Sequence, residues 1–154
     1  MTKLAIFAAG CFWGIEEKFL SHRGVLDTEV GYIGGITNEP SYHDVCSGET
    51  GHAEAVRVKF NEDEVSYEEL VSLFFKMHDP TTLNRQGPDI GTQYRSEIFC
   101  LDDDQYLIAD AMKRKFNKEI YNDKIVTSIS MADNFWIAEE YHQKYVRKKK
   151  NMIF

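Results

Sequence analysis

Cysteine is scarce in this chain: only Cys11, Cys46 and Cys100 among 154 residues. They form no C-x-x-C pair and their number is odd, which argues against a disulfide framework and fits reactive or buried thiols in a reducing compartment. Three prolines and ten glycines leave no Pro- or Gly-rich linker. There are no repeats or low-complexity tracts, so one domain over residues 1–154 is expected, long enough to bury a core without covalent staples. No segment approaches the ~18 apolar residues of a membrane span. The apolar run Leu4 to Ala9 is shorter than the ~7 to 15 residues of a secretory leader core, so it predicts a first strand, and a cytoplasmic protein is expected. Basic charge is in deficit: 18 Lys and Arg face 25 Asp and Glu, for a net charge of -7. Backbone phosphates need a basic face, so neither nucleic acid nor an anionic membrane is an expected partner. The one basic cluster, Arg147 to Lys150, predicts a solvated helix terminus or a frayed tail rather than a binding site. His22, His43, His52, His78 and His142 are scattered without paired ligand spacing, so no metal is expected.

What is present is an ordinary globular composition, 43% hydrophobic and 28% charged, arranged as intermixed strands and helices. Strands are predicted at Leu4 to Ala9, Val25 to Val30, Ala53 to Phe60, Arg95 to Leu101 and Lys124 to Met131. Helices are predicted from Ile15 to about Ser21 and from a capping box at Ser66 and Glu69 through Met77. A further helix opens at Asp102 and Gln105 with Ile108, Met112, Phe116 and Ile120 on one face, and a last one runs from Ile137 to Arg147. Gly31 to Gly51 and Thr81 to Thr92 read as long loops, the second long enough to carry function. The regular alternation of a doubly wound fold is missing, which favours an antiparallel or mixed sheet with packed helices.

Two residues stand out chemically. Cys11 lies in Gly10-Cys11-Phe12-Trp13-Gly14, on a strand-to-helix turn. The N-H groups and partial positive charge of a helix N-terminus favour a thiolate there and predict a lowered pKa and a nucleophile. The alternative is a small buried residue at a turn. Glu54 shares strand parity with Val56, Val58 and Phe60, whereas Arg57 and Lys59 take the other face. Its carboxyl group therefore points to the core, where burial raises its pKa and makes it a proton donor at neutral pH, unless it is an edge residue that reaches water or a cation.

GCFWG, then GYIGG at Gly31 to Gly35, GHAEAV at Gly51 to Val56, GTQYRS at Gly91 to Ser96 and, more weakly, YHQKY at Tyr141 to Tyr145 together resemble the methionine-S-sulfoxide reductases of the MsrA type. The resemblance implies a two-layer α/β sandwich with a mixed sheet on a ferredoxin-like plan. It implies Cys11 as nucleophile, Glu54 as acid, Tyr32 and Tyr94 as hydrogen-bond donors to the sulfoxide oxygen, Asp89 as an organising polar residue, and Phe12 and Trp13 as the receiver of the substrate methyl group. No cofactor is needed, because a thiolate can attack a sulfoxide sulfur once its oxygen is protonated, leaving a sulfenic acid.

Many such proteins carry resolving cysteines in a tail after the last helix, but Lys150 to Phe154 contain none. Cys46 is then the internal candidate, Cys100 is expected in the core, and thioredoxin, glutaredoxin or a small thiol is the external reductant. A monomer is expected. Two other classes use the same thiol: a hydrolase pairing Cys11 with His52 as base, and a redox sensor that needs neither Glu54 nor the tyrosines.

Overall fold

The computed structural model describes residues 1–151; the cysteine-free tail 152–154 lies outside them. The elements in order are β1 (Thr2–Ala9), α1 (Phe12–Leu20), β2 (Val25–Ile33), α2 (Tyr42–Cys46), β3 (Ala53–Asn61), α3 (Tyr67–Met77), β4 (Arg85–Gln86), β5 (Asp89–Ile90), β6 (Ser96–Cys100), α4 (Asp103–Phe116), β7 (Ser128–Met131), β8 (Trp136–Ile137) and α5 (Tyr145–Asn151). The main sheet has the order β7-β6-β1-β3-β2-β8. Its central four strands are antiparallel to one another, with α1 joining β1 to β2 and α3 lying between β3 and β6. That is the ferredoxin-like plan. β7 adds parallel to β6 through the α4 crossover and β8 adds antiparallel to β2, which makes the sheet mixed.

Alternation along the strands sends Phe7, Val56, Val58, Phe60 and Ile98 to one face, where Phe12, Ile15 and Phe19 of α1 and Leu70, Phe74 and Phe75 of α3 cover them. The opposite face carries a smaller cluster of Ile6, Ala8, Ile33, Ala53, Ala55 and Phe99, shielded by Ala132 and Phe135. The expected caps form: the Ser66 hydroxyl accepts from Glu69 N-H at 3.0 Å and Asp102 from Gln105 N-H at 2.8 Å.

Five segments depart from the sequence expectation. Residues 137–147 are not one helix. β8 is followed by a single 3-10 turn, Glu140–His142, an extended Gln143 and a left-handed Lys144 (φ 53), before α5 begins. Intrahelical bonds are exchanged for tertiary ones. The Gln143 amide accepts from Val30 N-H and donates to Val30 and Ala138 carbonyls, and Lys144 N-H donates to the buried Glu16 carboxyl group. In α5 the side chains of Arg147 and Lys150 pair with Glu17 of α1, so the basic cluster is partly an anchor. The loop predicted over 31–51 begins as strand through Ile33 and contains α2, opened by a capping box at Ser41 and Asp44. The segment 81–92 holds the β4–β5 hairpin. Ile120 is 56% exposed because α4 ends at Phe116 and widens into a π turn that carries Ile120 off the apolar face. Only Ser128–Met131 of the predicted last strand is strand; upstream, Val126 N-H is drawn to the Pro80 carbonyl.

His78, just after α3, ties this layer to β6. Its Nδ1 lies 2.7 Å from the Phe74 carbonyl, which can only accept, so Nδ1 carries the proton. Nε2 then accepts from Ser96 Oγ at 2.7 Å, and Ser96 accepts from Thr127. Burial pushes the His78 pKa down to about 4 from 6.5. The unfolded chain therefore binds the extra proton between those values, so stability is full above about 6.5 and is lost as pH falls toward 4. We expect a loss of about 3 kcal/mol from this group. Urea midpoints at pH 7 and pH 4 for wild type and His78→Asn check this, the gap between the two proteins narrowing at low pH.

Candidate active site

All the strand ends that matter meet at one edge of the sheet. β1 and β2 finish there and β3 and β6 begin there, with Tyr32 directly opposite Glu54 and Ala9 opposite Ser96. Cys11 is separated from β1 by Gly10 alone and is the residue that caps α1, with φ -55 and ψ 122. The turn requires Gly10, whose φ is +103 and where a Cβ would lie 2.9 Å from Gln86. Gln86 is itself held to the backbone of Asp79, its side-chain oxygen accepting from Asp79 N-H and its nitrogen donating to the Asp79 carbonyl.

Glu54 is 1% exposed and points into the site. Its Oε1 accepts from Phe12 N-H and its Oε2 from Gln93 Nε2, both at 3.3 Å. Burial, assisted by the nearby Asp89 carboxylate, outweighs those two donors and pushes its pKa up to about 7. The first turn of α1 thus touches the acid through the residue next to the nucleophile.

The thiol differs from expectation. Trp13 N-H donates to the Cys11 sulfur and lowers its pKa, but burial, Glu54 and Asp89 outweigh it and the pKa is raised. The helix terminus is present; its effect is smaller than desolvation and the two carboxylates. Cys11 and Glu54 are consequently linked. A thiol beside a carboxylate and a thiolate beside a neutral acid hold the same number of protons, and the second form is the reactive one.

The remaining predicted residues are distributed unevenly. Asp89, on β5, is near enough to raise both Cys11 and Glu54. Tyr94, just before β6, has its phenol pushed up to about 12 by burial and by Glu54, Cys46, Asp89 and Cys11. Tyr32 is fully buried, and its hydroxyl donates to Glu139 at 2.8 Å rather than toward the sulfur. Phe12 and Trp13 form an aromatic wall with Tyr32, Tyr145 and His142. Cys46, at the end of α2, accepts from Gln93 Nε2 at 3.4 Å and is hydrogen-bonded to the Tyr42 hydroxyl. Cys100 is core, fully buried against Tyr67. His52 serves no thiol: its Nδ1 accepts from Gly35 N-H and its Nε2 donates to the Thr37 carbonyl, fastening the glycine loop.

Gln93, Tyr42, Glu139 and His142 were missed by sequence reasoning. Gln93 stands inside GTQYRS and His142 inside YHQKY, so the motif blocks marked both without revealing a role. Tyr42 and Cys46 show their spacing of four only once α2 is known.

A thiol beside a buried carboxyl group with a pKa of about 7, bordered by an aromatic wall, supplies the groups that a thiol-dependent oxidoreductase needs. The comparisons give the particular family. The profile of the family described as peptide methionine sulfoxide reductase matches residues 3–153. Peptide methionine sulfoxide reductase MsrA of Methanothermobacter thermautotrophicus is 52% identical over 145 residues, covering 94% of this chain and 86% of that protein. The reduced form of Mxr1 from Saccharomyces cerevisiae superposes with a TM-score of 0.92 at 39% identity, covering 97% and 86%. Mxr1 in complex with Trx2 matches with a TM-score of 0.67 at 27% identity, covering 94% and 84%. The chain belongs to the MsrA family of peptide methionine sulfoxide reductases, and it reduces methionine sulfoxide.

Glu54→Gln removes one of the charges that hold the Cys11 pKa up. The thiolate absorbance should then titrate at lower pH than in wild type. Reduction should nonetheless slow about 10²- to 10⁴-fold, the usual contribution of a positioned acid. In wild type the rate should bend near pH 7, where Glu54 is expected to lose its proton. Single-turnover rates across pH should show that bend vanish in the variant.

Proposed function

We propose that this protein repairs the S epimer of methionine sulfoxide, free or in polypeptides, by the following division of labour. The methyl group packs against Phe12 and Trp13. The oxygen is held by Tyr94, whose hydroxyl has no hydrogen-bond partner among the described residues, and by Tyr32 once it exchanges its bond to Glu139. Cys11 thiolate attacks the sulfoxide sulfur while Glu54 delivers a proton to the oxygen. The oxygen passes to the Cys11 sulfur, methionine leaves, and the thiol sulfur is oxidised by two electrons to a sulfenic acid as the substrate sulfur is reduced. Asp89 organises the polar side of the site. The observation that carries this reading is the bond from Phe12 N-H to Glu54, which ties the acid on β3 to the turn that carries Cys11.

A first thiol condenses with the sulfenic acid to a disulfide and releases water; a second thiol reduces the disulfide. An external dithiol of the thioredoxin or glutaredoxin class, or a small thiol, supplies them, in keeping with the complex formed between Mxr1 and Trx2. Cys46 is the internal alternative, favoured by its contact with the same Gln93 amide that touches Glu54. The chain acts as a single-domain monomer in the cytoplasm, a setting that suits three free cysteines.

A single turnover with methionine-S-sulfoxide and no reductant tests the scheme, with methionine release measured and thiols counted under denaturing, trapping conditions. One methionine released per chain with one thiol lost is expected for external recycling, and two lost for a bond to Cys46. Release from Cys11→Ser would contradict the assignment of the nucleophile.

A further inference from the structure

We propose that His142 is a positioning residue for the reduction, holding the Trp13 indole in the orientation that receives the substrate methyl group. The inference rests on the reading of Trp13 as part of the substrate wall. Trp13 Nε1-H, which can only donate, points at His142 Nδ1 at 2.9 Å. Nδ1 is therefore unprotonated, and the neutral ring carries its hydrogen on Nε2. That Nε2 is buried with no partner among the described residues, in a residue 1% exposed. A buried donor left unpaired is unfavourable, so this imidazole is a poor choice for stability alone; phenylalanine would fill the space between Phe12, Tyr42 and Tyr141 without it. The polar service the ring performs is to accept from Trp13.

The need for that service follows from the geometry of the indole. Trp13 stacks on Tyr145 at 3.9 Å with 13° between the planes. Stacking fixes the plane of a ring but leaves it free to slide and turn within that plane. A directional bond at the N-H edge removes that freedom. The acceptor is itself held rigidly. On one side Glu139 accepts from the Tyr32 hydroxyl and from Tyr42 N-H, and on the other Gln143 is bonded to both backbone groups of Val30.

The test compares wild type with His142→Phe, which keeps the ring and loses the acceptor, and His142→Asn, whose side-chain oxygen replaces Nδ1. Trp13→Phe serves as the control for the substrate wall. The readouts are the urea midpoint, the NMR signal and hydrogen exchange of the Trp13 indole N-H, and KM and kcat for methionine sulfoxide. His142→Phe should keep or raise the midpoint, shift the indole signal, speed its exchange and raise KM roughly tenfold, the loss of one positioning hydrogen bond. His142→Asn should restore the signal and bring KM back toward wild type. An unchanged indole signal and KM in His142→Phe overturns the proposal, as does an equal loss of midpoint and KM in both His142 variants, which marks a purely structural ring. If Trp13→Phe leaves KM unchanged while the indole signal still responds in His142→Phe, the substrate-wall reading has failed and the kinetic role of His142 with it.

Discussion

A carboxyl group with 1% exposure must be neutral or compensated, and Glu54 has no ion-pair partner among the described residues. Two N-H donors steady its charged form without paying for the whole desolvation penalty, and the balance leaves it titrating at about 7. A cation in place of Gln93 would hold the carboxylate ionised and end its use as an acid. An apolar residue there would remove a donor and push the pKa further up. The proposed chemistry depends on that intermediate state, because the same carboxyl group acts on Cys11: charged, it opposes the thiolate, and neutral, it permits it.

The fold delivers this arrangement through strand direction. In the central order β6-β1-β3-β2, the ends of β1 and β2 and the beginnings of β3 and β6 fall at one edge. Cys11, Tyr32, Glu54 and Tyr94 belong to those four points although 83 positions separate the first from the last. The core beneath is closed by aromatic stacking of Phe7 with Phe19 and Phe74, so the edge rests on rigid packing. The final third of the chain then completes the pocket from outside the plan. Gln143 and Lys144 dock along β2 by side-chain and backbone bonds, and this brings Glu139, His142 and Tyr145 to the wall of the site.

The sequence made the positions of Cys11 and Glu54 legible for local reasons. GCFWG sits between an apolar strand and an amphipathic helix, and strand parity alone aimed Glu54 inward. Caps at Ser66 and Asp102 were equally local. What could not be read locally is what distant residues impose. The Cys11 pKa moves up because the folded chain buries the thiol and, to a smaller degree, because Glu54 and Asp89, remote in sequence, converge on it. The segment 137–147 has a helical pattern, yet its Gln143 side chain bonds 113 positions away and its Lys144 N-H bonds 128 positions away, and those bonds replace a helix. His142 belonged to a recognisable block, but its purpose is defined by Trp13 at a separation of 129.

The most direct test of the central claim is to follow the Glu54 carboxyl carbon by NMR as pH is varied, in Cys11→Ser so that the thiol does not titrate with it. A midpoint near 7 is the predicted result, since burial and the two N-H donors remain in that variant. A midpoint near 4.5, the ordinary value for a glutamate, would contradict the account, because the site would then hold a carboxylate at neutral pH with no proton to give.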